Sequence, residues 1–170
     1  MMTRETRNPC SVIVSLFIMI FLLHGCGYSI YGYRSLPFTE IQIGSILNKT
    51  LEPKLQDKLH KALVEEFSKN GITVNPSAKL KLTGVINEFE LIGLSEKDEI
   101  TIEYSVAINA DFKVIDEKGD LKEIRKISSP FIVSFTASKD LGGLMATKDI
   151  AEERALSDIA TRLVGSLIYR

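Results

Sequence analysis

A chain of 170 residues with 21 Lys+Arg against 22 Asp+Glu carries a net charge of −1 at pH 7. That balance argues against a dedicated nucleic-acid binder, which needs a clear basic excess to neutralise phosphates. The length suits a single core once a leader is set aside, and there is no low-complexity tract or long internal repeat.

The first element is apolar. Ser11 to Leu23 reads SVIVSLFIMIFLL, uncharged but too short to span a bilayer comfortably, since a crossing helix needs about 20 residues. Arg4 and Arg7 precede it and Gly25-Cys26 follow it, the order of a secretory signal. Leu23-His24-Gly25-Cys26 resembles the lipobox of bacterial lipoproteins, with His24 where a small or β-branched residue is usual. This resemblance implies a signal peptide over 1–25, acylation of Cys26 as the new N-terminus, and, with Gly27 and not Asp next, export to the outer membrane. A soluble secreted protein and a retained signal anchor are the other readings of the segment. With Cys10 in the leader and Cys26 lipidated, no cysteine is left for a disulfide, and packing alone must hold the fold.

Residues 26–39 continue with two glycines, a proline and four aromatics, a composition for an extended tether, and one domain is expected over 40–170. Glu40 to Leu47 reads as a short strand. Asn48-Lys49-Thr50 supplies turn and cap chemistry before Pro53; it also matches a glycosylation acceptor, which a bacterial lipoprotein makes irrelevant. Leu55, Leu59, Ala62, Leu63 and Phe67 recur at helical spacing, which predicts an amphipathic helix over 53–70 closed by Asn70-Gly71.

Beyond the linker ITVNPSA the period changes to two. Leu80, Leu82 and Ile86 share one parity and Phe89 and Leu91 the other, so the phase slips at Asn87-Glu88, as a bulge would cause. Ile100 to Val114 alternates without a break, a long antiparallel strand with one wet face. After the turn at 116–120, Leu121 to Thr136 reads as its partner, with Pro130 at a bulge, an edge or an interruption. Gly142-Gly143 precedes a last helix expected over about 148–169, with Ala155, Leu156, Ile159, Ala160, Leu163, Val164, Leu167 and Ile168 inward and Glu152, Glu153, Arg154, Asp158 and Arg162 facing water. The order β-α-β-β-β-α predicts an α+β two-layer sandwich, with two helices on one face of a four-stranded, mostly antiparallel sheet.

Catalytic inventory is sparse. His24 and His60 are the two histidines, too few for a multi-histidine metal site or a Ser-His-Asp arrangement, and His60 reads as an ordinary surface residue. No phosphate-binding, dinucleotide or Cys-x-x-Cys motif occurs. Glu65-Glu66, Asp98-Glu99 and Glu152-Glu153 read as solvated helix surfaces or turns; acid/base work would need burial that separates their pKa values. Lys122, Arg125 and Lys126 form the densest basic cluster, either charged solvation of a strand or an anion-binding patch.

Taken together, CGYSIYG at 26–32, Leu36-Pro37, EIQIGSI, Asn48-Lys49-Thr50 with Glu52-Pro53, EEFSKNG, EYSVAINADFKVIDEKG at 103–119 and DIAEERALSDIATRLVGSLI resemble the LPS-assembly lipoprotein LptE family across nearly the whole mature chain. The resemblance implies a two-helix, four-stranded fold and an outer-membrane location on the periplasmic side, held through N-terminal acyl chains. It also implies a partner, the LptD β-barrel, which the protein plugs while the pair delivers lipopolysaccharide by binding, without catalysis, cofactor or metal. A polyanionic lipopolysaccharide would be met by Lys or Arg, and Lys122, Arg125 and Lys126 are the candidates. A lipid-anchored periplasmic carrier or envelope adaptor without a barrel partner is the alternative, and a tethered enzyme is a third class that no motif announces.

Overall fold

The computed structural model describes residues 36–97, 100–133 and 141–169; the segment 1–25 expected to be a signal peptide, Cys26 and the Asp98-Glu99 pair lie outside them. Seven elements follow in chain order: β1 (Glu40–Asn48), α1 (Leu55–Lys69), β2 (Thr73–Val74), β3 (Lys81–Lys97), β4 (Ile100–Ile115), β5 (Leu121–Val133) and α2 (Leu141–Ile168). They build a mixed sheet in the order β2-β1-β3-β4-β5 with β1 parallel to both neighbours and β3, β4 and β5 antiparallel. This is the expected α+β class and element order, with one addition. The short β2 lies in the linker and adds a fifth strand through Thr73 N–H to Thr39 C=O and Asn75 N–H to Ile41 C=O, both 2.9 Å.

Both helices cover one face. Leu55, Leu59, Leu63 and Phe67 of α1 and Ala155, Leu156, Ile159, Ala160, Leu163 and Val164 of α2 are buried against Ile41, Leu82, Ile86, Val106, Ile108, Ala110 and Phe112 of the sheet. Each large aliphatic side chain withdrawn this way contributes roughly 1.5–3 kcal/mol, so the alternation of β4 and the helical stripes determine which face is inward. Leu36 and Phe38 pack against the same core, so packing begins a few residues before β1.

Local chemistry sets the element ends. Asn48 Oδ1 accepts from the Thr50 N–H (3.0 Å) and hydroxyl (2.8 Å), and its Nδ2 donates to the Glu52 carbonyl (2.7 Å), which turns the chain out of the sheet as the Asn-Lys-Thr reading expects. The helix then starts at Leu55, later than Pro53, because Lys54 sits in the left-handed region at φ 63. At the other end Gly71 takes φ 76, and the Ile72 N–H reaches the Phe67 carbonyl at 2.9 Å, the left-handed stop read from Asn70-Gly71.

The phase slip in β3 is a bulge. Ile86 pairs Ala110 and Glu88 pairs Asn109, with Asn87 the extra residue. Pro130 sits opposite Ala107 on β5, the edge strand, where a missing N–H costs no ladder bond. Helix α2 begins at Leu141, two turns earlier than the apolar stripe alone indicates.

Candidate binding surface

The basic cluster lies on β5, and strand alternation divides it. Lys122 pairs Val114, an inward position, and its Nζ donates to the Ser166 carbonyl at 3.1 Å. That carbonyl belongs to the last turn of α2, where helix carbonyls lack intrahelical partners and a cation is favoured. Arg125 points to the opposite, helix-free face. Its Nε donates to Glu123 Oε2 at 2.9 Å, and Lys113 Nζ joins the same carboxylate at 3.1 Å. The guanidinium and then the Lys113 ammonium hold Glu123 below the usual carboxylate range, and the Glu123 partner raises Arg125 in turn.

Lys126 is placed by a second bulge. Between the pairs Phe112↔Ile124 and Ala110↔Ile127, Asp111 faces two β5 residues, Arg125 and Lys126. Lys126 takes φ 55, a left-handed conformation that a residue with a Cβ adopts at a cost of about 1 kcal/mol or more. Asp111 offsets the cost: its Oδ1 accepts the Lys126 backbone N–H at 2.7 Å while its Oδ2 accepts Asn87 Nδ2 at 2.8 Å. One carboxylate on β4 therefore fixes the bulges on both neighbouring strands. The exposed Lys126 ammonium makes no ion pair among the described residues.

Around this point Lys49, Asn87, Asp111, Lys113, Glu123 and Arg125 line a shallow depression of about 310 Å³ on the helix-free face. Sequence reading assigned Asp111 only to a wet face. The signal that could have found it is its position on β4 beside the Asn87 phase slip, where a bulge exposes a backbone or amide donor for a neighbouring carboxylate to take up.

A second polar cluster joins the helices. Lys58 of α1 bonds Asp149 and, at 2.6 Å, Glu152 of α2. Lys148 reaches Glu52 and lies 3.6 Å from Glu152, with its ammonium 5.4 Å from the centre of the Phe89 ring. Glu152 is 2 % exposed, a correction to its expected place on the wet side of α2: α1 crosses there and supplies Lys58, so the carboxylate is buried against a cation. Burial pulls the Lys58 pKa down, but the hydrogen bonds it donates to Asp149 and Glu152 outweigh it and the net shift is upward, while Asp149 is lowered by Lys58. Asp158, also expected to face water, accepts from the Ser129 hydroxyl of β5 and from Arg162 Nε at 2.9 Å, tying α2 to the edge strand. Glu65, Glu153 and His60 are exposed as read.

Among the described residues no group of His, Cys, Asp or Glu is arranged to hold a metal, and no helix is long and apolar enough to cross a membrane.

Solved structures share this architecture at low identity. A minor lipoprotein from Acinetobacter baumannii is 11% identical with a TM-score of 0.53, covering 78% of this chain and 92% of that one. The rare lipoprotein B from Shewanella oneidensis is 16% identical with a TM-score of 0.53, over 74% and 92%. A PelC dodecamer subunit from Paraburkholderia phytofirmans is 11% identical with a TM-score of 0.54, over 77% and 89%. These likenesses establish the fold. No curated protein matches by sequence. The family model LptE, described as lipopolysaccharide-assembly, matches residues 38–168, the span that holds all seven elements, and the chain belongs to that family.

Proposed function

We propose that this chain is an outer-membrane lipoprotein, anchored through acyl groups on Cys26, that occupies the lumen of the LptD β-barrel and takes part in lipopolysaccharide assembly by binding and steric occupation. The observation that carries this reading is the family match across 38–168, joined to a leader read over 1–25 that ends at Gly25, directly before Cys26. The physical character of the domain supports it. The core closes between helices and sheet, and the helix-free face presents Asn109, Asp111, Lys113, Glu123 and Arg125, side chains suited to a barrel interior, which is polar. Two or more acyl chains give a stable anchor where a single chain binds marginally.

Lipopolysaccharide contact is assigned to the basic residues of β5. Arg125 reaches the helix-free side directly and Lys126 is exposed next to it, whereas Lys122 would have to release the Ser166 carbonyl to join them. Neutralising Lys122, Arg125 and Lys126 together is expected to weaken lipopolysaccharide binding, with Arg125 and Lys126 carrying most of the loss; unchanged binding removes the assignment.

The test of the whole reading is a mild-detergent pulldown of the tagged full chain from its own membranes. Recovery of a large, heat-modifiable barrel is expected. Its absence under conditions that preserve membrane complexes would favour a lipid-anchored carrier or adaptor. Separately, Cys26→Ala should abolish lipid labelling.

A further inference from the structure

β1 and β3 part company within the first half of β3. Their parallel pairing ends at Asn48↔Ile86, with one further bond from the Lys49 N–H to the Ile86 carbonyl at 3.0 Å, and the Asn48 turn then carries the chain off to α1. β3 continues to Lys97, paired on its other side with β4. Among the described residues no strand fills the lane that β1 vacates.

The lane has a defined hydrogen-bonding face. The Ile86 carbonyl points toward β1, and Ile86 pairs Ala110. Ile108 and Val106 follow Ala110 at intervals of two on β4, so their partners Phe89 and Leu91 direct their backbone groups the same way. The side chains along this edge carry no proline and no inward-pointing charge. Leu91, Ile92 and Leu94 are 41 %, 43 % and 46 % exposed, apolar on both faces of a free edge, a surface that sheet proteins ordinarily cover or blunt. On the helix-free face Glu88 is held by Asn109, and Glu90 is exposed and makes no ion pair among the described residues. On the helix side Lys148 stands over Phe89.

We infer that the edge of β3 from Glu88 to Leu94 is a strand-addition site, and that its occupant is an extended segment of another polypeptide that continues the line of β1. Backbone groups of Phe89 and Leu91 supply the recognition. The occupant places apolar side chains beside Phe89 and Leu91 and a Lys or Arg beside Glu90, the side-chain alternation that strand addition reads. The inference is independent of which protein donates the strand, and so of the barrel proposal.

The test is backbone amide exchange on the full-length chain, with a synthetic peptide of alternating Val and Lys as the probe. Peptide should slow exchange at the Phe89 and Leu91 amides by about tenfold or more, while the Glu90 and Ile92 amides, already committed to β4, stay unchanged. An alternating Val and Glu peptide should bind more weakly, and a Val-Lys peptide methylated on the backbone nitrogens that face the edge should not bind. Leu91→Pro should remove binding with little change in melting temperature, because its N–H takes no part in the β4 ladder. Equal action of the methylated peptide, or no slowing at Phe89 and Leu91 at saturating peptide, overturns the inference. Slowing that appears without peptide and grows with protein concentration would assign the edge to a second copy of the chain and overturn the stated occupant.

Discussion

Asp111 should be worth more to this fold than any other exposed-face carboxylate, because it accepts from two strands at once. Asp111→Ala removes the acceptor of the Lys126 N–H and of Asn87 Nδ2. Hydrogen bonds to a charged acceptor contribute about 1.5–3 kcal/mol each. Water reaches this half-buried position and replaces part of that, so the net loss is placed at about 2–3 kcal/mol. For a domain of this size that is a fall of about 8–12 °C in melting temperature. Asp111→Asn should lie between, since its carbonyl oxygen can still accept from Lys126 while its amide opposes Asn87 unless that side chain turns over. The assay is thermal unfolding paired with amide exchange at Lys126, whose N–H donates to the Asp111 carboxylate. A melting temperature within about 2 °C of the parent, or an unchanged Lys126 exchange rate, would refute the idea that one carboxylate fixes both bulges. Lys126→Gly tests the strain from the opposite direction: at φ 55 it should gain about 0.5–1 kcal/mol.

Glu152→Ala should cost about 2–3 kcal/mol, at the low end for a broken buried pair because Lys58 keeps Asp149 and Lys148 keeps Glu52; the double replacement Lys58→Met with Glu152→Leu should recover most of it. Denaturant unfolding of the four-member cycle checks this, and additive costs would contradict the coupling. Acid should act through Asp149 and Glu123, whose folded-state pKa values lie below 3.8 and 4.5. Their contribution is present above those unfolded values and is lost as pH falls through the lower folded ones, so Asp149→Asn should flatten the acid limb of a melting-temperature profile. Lys58 is raised above 10.5, so its contribution holds below that pH and fades as pH rises through the folded value; Lys58→Met should remove the alkaline part. Lys122→Met should lower stability by about 0.5–1 kcal/mol, the scale of a cation at a helix C-terminus, and a null result in thermal unfolding would free Lys122 of its structural role.

How much of this was legible before the fold was known depended on whether a residue's fate was decided by its own element. The α1 stripe, the alternation of β4, the stop at Asn70-Gly71 and the slip at Asn87 are all set by spacing or by a single residue's backbone limits, and each stands where the sequence placed it; for Pro130 the structure selects the edge among the bulge, edge and interruption that its missing N–H allowed. β2 was hidden because two residues have no period; it exists through bonds to Thr39 and Ile41, donated from a loop read as a linker. The first turns of α2 were hidden because Gly142-Gly143 disfavour helix by about 1 kcal/mol each, a cost that weighs less where the backbone N–H groups of a first turn have no partner anyway and where Leu144 packs on the core. Glu152 and Asp111 were misjudged or overlooked for a shared reason. Both look like wet-face carboxylates along their own element, and both owe their place to a donor on another one.

That distinction separates the two faces of the sheet in what substitutions there can reveal. Inward positions such as Phe112 and Ile108 are buried at 1 % and 0 % exposure, and a truncation there opens a cavity and costs about 2–5 kcal/mol, so lost activity would be indistinguishable from lost fold. On the helix-free face, Arg125 and Lys113 pair with Glu123, an exposed cluster of the kind that adds little to stability. Substitutions at Arg125 and Lys113 should therefore leave the melting temperature nearly unchanged, and a defect in lipopolysaccharide assembly from them would support the proposed binding role of this face rather than a loss of fold. Asp111 is the exception on that face: its removal moves the bulge that carries Arg125 and Lys126, so a phenotype from Asp111→Ala is informative only beside an unfolding curve measured on the same variant.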